Sequence, residues 1–470
     1  MSFFEKLNTW ARNSVMLKLL IVGFMILLFM IPKFLITDLI RERSNLRDRA
    51  TAEVSQKWGG NQTIGGPVIS VPYRQEIRNF NADGDYTGST YNKGYAHFLP
   101  DAVDIQGELI PSERYRGIYV VVLYNTLLKV KGNFGTFNTD NLSISDRDIL
   151  WDKALFTVGI SDMKGVQEAI ELSFADSTYQ LGPGTVTNDI FASGASVPIK
   201  IDPKSKKIDF DFEINLNGST DLYFTPFGKV NTVALNSTWA NPSFDGSFLP
   251  DNREVSPEGF SANWKVLQLN RNYQQSGTGN YIRQNRVDKV RPYYDEIKSY
   301  SIASQDIDYR ETSNAFGVKL MLPVDEYQKT YRSANYAAIF IIITFLTFFF
   351  IEVLNRKRLH PIQYLLVGTA VILFYVLLLS LSEHLTFNIA YFISCAVILA
   401  LITGYCSFIL DNRKLTLLMF GVLTILYLFF YSLLQLQDYA LLMGSFGLLA
   451  ILGTVMYLTR NVDWYGIKKS

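Results

Sequence analysis

Apolar residues in this chain fall into two patterns, and each pattern asks for a different solvent. Six stretches stay apolar for the roughly 20 residues that cross a bilayer's hydrocarbon core. They are Leu19 to Ile36, Tyr336 to Leu354, Ile362 to Leu381, Phe387 to Leu410, Leu415 to Leu436 and Tyr439 to Leu458. Between the first and the second, apolar and polar positions alternate instead. The clearest case is Ile208, Phe210, Phe212, Ile214 and Leu216, interleaved with Asp209, Asp211, Glu213 and Asn215, the period of a half-buried strand. Asn217-Gly218 follows it and signals a hairpin turn. Ile118 to Leu123 predicts a fully buried strand, and turn signals at Asp83-Gly84, Gly182-Pro183-Gly184 and Asp245-Gly246 keep the strands short. Arg41 to Lys57 predicts a helical continuation of the first span. There Leu46, Ala50 and Val54 recur every four residues, and Arg49 stands four residues before Glu53.

These patterns predict a multi-domain membrane protein. A transmembrane anchor helix (19–36) leads through a helical stalk (41–57) into an antiparallel, β-rich periplasmic domain (58–334). A block of five transmembrane helices (335–458) follows, and residues 1–18 and 459–470 form cytoplasmic ends. The absence of long βα alternation disfavours a parallel α/β enzyme fold.

Charge sharpens the division. The whole chain carries 44 Lys and Arg against 43 Asp and Glu in 470 residues, which gives no reason to expect nucleic acid. That average conceals a segment, 335–470, with only 13 charged residues, and another, 41–334, with 32 basic and 36 acidic. Basic residues near span ends set orientation. With the N-terminus inside, the cytoplasmic side holds Lys6, Arg12, Lys18, Arg356, Lys357, Arg358, Arg413, Lys414, Arg460, Lys468 and Lys469. The short outer turns, Glu383 to Thr386 and Gln435 to Asp438, hold none. Arg41, Arg43, Arg47 and Arg49 oppose the rule, but they open a long translocated segment, where it is weak. Both termini are therefore expected in the cytoplasm. Pro32-Lys33-Phe34-Leu35 offers no small-residue cleavage site, so the first span is expected to remain as an anchor.

Candidate chemistry is sparse. Two cysteines, Cys395 and Cys406, exclude a disulfide framework, and three histidines, His97, His360 and His384, make a multi-histidine metal site improbable. No G-x-S-x-G elbow, P-loop or H-E-x-x-H occurs. A Ser-His-Asp arrangement would have to be built on His97, for which a half-buried structural role is the better reading. The stripe Asp209, Asp211, Glu213 fits a solvated face better than a cation site. Gly444-Ser445-Phe446-Gly447 has the wrong serine spacing for an intramembrane serine protease, while Ala440 and Gly444 suit close helix packing. Glu352 has Arg356 four residues on and predicts an ion pair at the inner end of its span rather than a proton carrier. The remaining polar group is the pair of outer turns. Glu383 and His384, preceded by Ser380 and Ser382, and Gln435, Gln437 and Asp438 form a candidate docking surface or lipid-headgroup contact, with an ordinary interfacial turn as the plainer reading. No catalytic residue, cofactor or metal is expected.

Several words of the sequence resemble the CreD family of Gram-negative inner-membrane proteins, over nearly the whole chain after the first 15 residues. Around the stalk these are Arg41, Glu42, Arg43, Arg47, Glu53 and Val54. Then come Trp58, Gly59, Gln62, Gly66, Pro67, Val71, Pro72 and Tyr73. Further on stand SDMKG from Ser161, FLPDNR from Phe248 and GFSANW from Gly259. The strongest matches are HPIQYLLVG from His360, FYVLLLSLSEHLTFNIAY from Phe374, LLQLQDYALLMGS from Leu433 and TRNVDWY from Thr459. Asn335 departs from the family, which has lysine there, so no ion pair is inferred at that place. The resemblance implies cell-envelope integrity, with links to a two-component envelope-stress response, colicin tolerance and β-lactam fitness, and it implies no biochemical activity with comparable force.

The leading expectation is a non-enzymatic protein in which stalk and second span couple a β-rich outer domain to the membrane block. Its partners would be the lipid bilayer and envelope proteins or lipid-linked wall components. The alternative is an enzyme or carrier acting on a lipid-linked envelope precursor, which would need polar groups inside the bilayer that the five C-terminal spans largely lack. A sensor feeding a two-component kinase would need a partner, because the cytoplasmic segments are too short for a signalling domain.

Overall fold

The computed structural model describes residues 15–81, 85–142, 144–284, 314–322, 326–355, 359–436 and 439–460. The chain divides into two compact units, 49–323 and the combination of 1–48 with 324–470. An apolar N-terminal helix, a β-rich middle region and apolar C-terminal helices follow one another along it.

Helix α1 (Val15–Trp58) runs through 44 residues, including Pro32, and at 1.5 Å per residue is about 66 Å long. That is about twice a bilayer's hydrocarbon thickness. Near its end Glu53 does not pair with Arg49. It takes Lys57 at 2.9 Å and Arg116 at 3.0 Å, and these partners hold its carboxyl below the usual range, the Lys57 hydrogen bond most of all.

The middle unit holds seventeen described strands. They are β1 (Gln62–Phe80), β2 (Tyr86–Phe98), β3 (Ala102–Arg116), β4 (Tyr119–Phe134), β5 (Leu155–Ile160) and β6 (Glu171–Phe174). Next come β7 (Ser177–Gln180), β8 (Gly182–Pro183), β9 (Gly194–Pro198), β10 (Ile208–Ser219), β11 (Asp221–Thr225) and β12 (Val230–Ser237). The last are β13 (Pro242–Gly246), β14 (Asn252–Ser256), β15 (Gly259–Leu267), β16 (Ser276–Thr278) and β17 (Phe316–Leu320). One sheet has the order β13-β17-β11-β1-β5-β9-β8, with β2 beside the second half of β1 and β16 beside β2. The other has the order β14-β15-β12-β3-β4-β10-β6-β7. Both contribute to one apolar core. Phe156 of β5 links the two sheets, with its ring centroid 5.9 Å from those of Phe174, Phe210 and Phe212 and 6.3 Å from that of Phe134, all on the opposite sheet.

The β-rich expectation holds, but the sheets are mixed rather than antiparallel. β1 runs parallel to β11 (Gln62 opposite Leu222), and β3 runs parallel to β12. Each of these pairs is joined by chain that visits other strands first, so local alternation carries no trace of it. The predicted strand at 208–216 is present, with Ile208, Phe210, Phe212, Ile214 and Leu216 all buried. Asn217-Gly218 is not its hairpin. Both residues stay in β10, paired with Asn125 and Tyr124 of β4. Glycine is required there because an added Cβ would lie 2.3 Å from the Tyr124 hydroxyl, and the chain turns instead at Thr220, where φ is 62°. The strand predicted from Ile118 begins at Tyr119. Ile118 sits exposed in the turn, and burial is complete only from Val121 to Leu123. Asp245-Gly246 closes β13 and Gly182-Pro183 forms β8, while Asp83-Gly84 lies outside the described residues.

In the other unit Val22, Phe29, Ile36 and Ile40 of α1 share an apolar core with the C-terminal helices, which continue after the four-residue helix α2 (Tyr281–Gln284) of the β-rich unit. They are α3 (Glu326–Asn335), α4 (Ala337–Leu354), α5 (Pro361–Ser382), α6 (Phe387–Leu410), α7 (Arg413–Gln435) and α8 (Ala440–Thr459). Among the described residues four helices, α1, α5, α6 and α7, are long and apolar enough to cross a membrane. The pair Tyr327–Asn335 and Ala337–Val353, bent by 42°, brings the number to five, and Leu442–Tyr457 is a shorter apolar helix. Aromatic contacts tie this unit together, with Phe340 of α4 against Phe374, Tyr375, Tyr427 and Phe430. Gly368 of α5 lets Phe29 of α1 in, since a Cβ there would stand 2.4 Å from that ring. At α8 the close approach is Gly447, where a Cβ would meet Phe429 at 2.3 Å, rather than Gly444, which has ordinary room.

Candidate functional site

The expected outer-turn site is built where α5 ends. Glu383 caps that helix, half out of it, with its side chain 14% exposed. Its Oε1 lies 3.7 Å from Arg43 Nε on α1 and accepts from the Tyr327 hydroxyl on α3 at 3.4 Å. The grip extends along both helices. Arg47 lies over the Tyr327 ring, Arg41 donates to the Tyr331 hydroxyl at 2.7 Å, and Thr330 meets Ser382 at 3.4 Å. One carboxylate is thus held by the helix that ends in the β-rich unit and by the helix that follows it. His384 is exposed, and Gln435 donates instead to Asn388 at 2.8 Å. Gln437 and Asp438 lie outside the described residues. The two turns therefore take different partners, and Arg43 and Tyr327, which the spacing of the sequence did not single out as partners of Glu383, are its neighbours.

The opposite end of α4 carries a second buried carboxylate. Glu352 is 4% exposed and pairs with Lys18 of α1 at 2.7 Å, while the Tyr364 hydroxyl of α5 donates to it at 3.0 Å. The expected partner, Arg356, lies outside the described residues. Lys18, distant in sequence, reaches Glu352 because α1 packs alongside.

In the β-rich unit His97 is fully buried and bonded at both nitrogens. Ser70 Oγ lies 2.8 Å from Nδ1 and Asp189 Oδ2 lies 3.2 Å from Nε2. Since the carboxylate can only accept, Nε2 carries the hydrogen and Nδ1 accepts from Ser70. This is a Ser-His-Asp chain in hydrogen-bond order. Ser70, however, is 4% exposed and sits directly opposite His97 on paired strands, so its hydroxyl is used inside the fold. Tyr281 stacks over the imidazole with centroids 6.4 Å apart, and burial pushes that phenol's pKa up. The arrangement satisfies a buried histidine, in keeping with the structural reading.

The acidic stripe is a ladder of surface ion pairs, with Asp209 to Lys207 at 2.7 Å, Asp211 to Lys131 at 3.1 Å and Glu213 to Lys129 at 3.6 Å. Each carboxylate already has an exposed cation beside it. Among the described residues no three His, Cys, Asp or Glu side chains converge as metal ligands.

A family model described as Inner membrane protein CreD matches residues 14–465. Inner membrane protein CreD of Escherichia coli (strain K12) is 31% identical over 452 residues, which cover 94% of this chain and 91% of that protein.

Proposed function

The chain belongs to the CreD family of inner membrane proteins, and on that premise we propose that it maintains cell-envelope integrity by non-enzymatic coupling of its β-rich unit to its membrane block. In this reading the chain crosses the membrane six times, both termini are cytoplasmic, and residues 58–334 form the periplasmic domain. The distribution of basic residues supports that orientation. The bent helix pair and the short apolar helix are counted as the second and sixth spans.

The observation that carries the coupling is the position of Glu383, held by Arg43 on α1 and Tyr327 on α3. These helices flank the β-rich unit in the chain, one before it and one after. A shift of either would change the environment of one carboxylate in the membrane block, and a change there would bias both. Such a role needs charge, hydrogen bonding and position, which the Arg43 and Tyr327 contacts supply.

The test is Glu383→Gln in cells that depend on this chain for survival under β-lactam or envelope stress. Arg43 is 43% exposed, so the lost ion pair is worth about 1 kcal/mol or less. Protection should fall partially, and Asp438→Asn should add to the loss if the second turn shares the docking role. Complete loss from Glu383→Gln alone, in protein that inserts and accumulates normally, would favour instead an enzyme or carrier acting on a lipid-linked precursor.

A further inference from the structure

The β-rich unit has a polar cavity of about 280 Å³ at the end of β2, far larger than one water needs. We propose that it binds the ring of a sugar, and this goes beyond the coupling reading and does not depend on it.

The wall of the cavity is unusually rich in side chains that both donate and accept. Asn141, Gln268 and Gln274 each bring an amide and Thr136 a hydroxyl, while the side-chain oxygen of Asn138 already accepts from the Asp140 backbone at 2.8 Å. A sugar hydroxyl is likewise a donor and an acceptor, so an amide can take two neighbouring hydroxyls at once, one by its oxygen and one by its nitrogen. The charged groups cancel. Lys229 Nζ lies 2.7 Å from Asp101 Oδ1, leaving a neutral lining that offers one strong acceptor and one strong donor. Among its aromatic lining residues Phe137, 9% exposed, is the most open, while Phe98 and Phe134 are buried in the core at 3% and 1%.

The wall is also set in place beforehand. Gln275 accepts from the Arg271 guanidinium at 2.5 Å and donates to the Pro100 carbonyl, while its own carbonyl accepts from the Leu99 amide at 2.9 Å. Ser276 donates to the Asn138 carbonyl at 3.2 Å, joining two walls. Asp101 is seated over Gly135, where an added Cβ would come within 2.2 Å of Oδ2. By contrast Asn141 and Gln274 are exposed at the mouth and available to a ligand. A preformed, neutral, amide-rich cavity discriminates against nucleotides, which carry a phosphate charge.

The test uses the purified full-length chain in detergent, with N,N′-diacetylchitobiose and cellobiose as probes and saturation-transfer NMR as the readout. Binding of at least one disaccharide at millimolar concentration is expected. Asn141→Ala with Gln274→Ala, both at exposed positions, should weaken it about tenfold or more, since two lost hydrogen bonds correspond to that factor. Gly135→Ala, which displaces Asp101, should weaken it independently. No transfer to either disaccharide, or binding that survives both the double variant and Gly135→Ala, would overturn the proposal.

Discussion

Lys18 and Glu352 form an ion pair in which Lys18 is the more exposed partner. The Glu352 side chain is 5% exposed and the Lys18 side chain 25%. Lys18→Met would leave the carboxylate buried with the Tyr364 hydroxyl as its described donor. Breaking a buried pair from one side costs about 3–5 kcal/mol, because the remaining charge keeps its desolvation penalty and loses its compensation. Glu352→Gln is milder. The amide still accepts from Tyr364, and Lys18, partly exposed, can turn toward the interface, so about 1–3 kcal/mol is expected. Replacing both removes the penalty along with the attraction and should cost less than Lys18→Met alone. The assay is the apparent unfolding midpoint of the detergent-solubilised full chain, with all four proteins heated at one rate because such transitions are seldom reversible. A double variant as unstable as the sum of the singles, or a Lys18→Met protein indistinguishable from the parent, would refute the reasoning.

Arg271 is 6% exposed and its described partners are neutral acceptors, namely the carbonyls of Tyr273, Phe227 and Gly228 and the Gln275 amide. Arg271→Met should destabilise the β-rich unit by about 2–4 kcal/mol through its orphaned carbonyls, read as faster limited proteolysis, although relief of the buried charge offsets part of the loss. Burial also lowers the pKa of Arg271, but a guanidinium stays charged across ordinary pH, so its contribution should not vary between pH 5 and 9 when proteolysis is repeated there. Cys395 and Cys406 are both buried in α6, eleven residues or about 16 Å apart along it. A reductant should therefore leave the mobility of the monomer unchanged, and maleimide should label neither thiol before denaturation. A reporter fused after Ser470 should be active only as a cytoplasmic probe, and periplasmic activity there would contradict the six-span orientation.

What could be read from the sequence is what neighbours along the chain decide. Strand β10 was legible because Ile208 to Leu216 alternate without a break, and the apolar helices because a bilayer demands uninterrupted length. Gly218 misled because its reason is the Tyr124 ring of another strand, not the turn that Asn-Gly normally marks. The parallel pairs β1–β11 and β3–β12, like the Ser70–His97–Asp189 chain, join residues that only the folded sheets bring together. At the candidate site Glu383 was legible as a polar residue at a span end, whereas its partners were not, because Arg43 lies 340 positions away in sequence. Glu352 shows the same limit, since its partner Lys18 lies 334 positions away in sequence.

The place of β17 has a consequence for how the protein is made. This strand, Phe316 to Leu320, lies between β11 and β13, so both must wait for it before their sheet is continuous. During synthesis the β-rich unit thus remains unfinished until almost its last residue has been delivered. Helix α3 begins at Glu326, only six residues after the strand ends. Completion of the sheet and insertion of the C-terminal helices therefore fall close together in time. Until then β11 and β13 present unpaired strand edges, which are exposed to wrong pairing during that interval of translation.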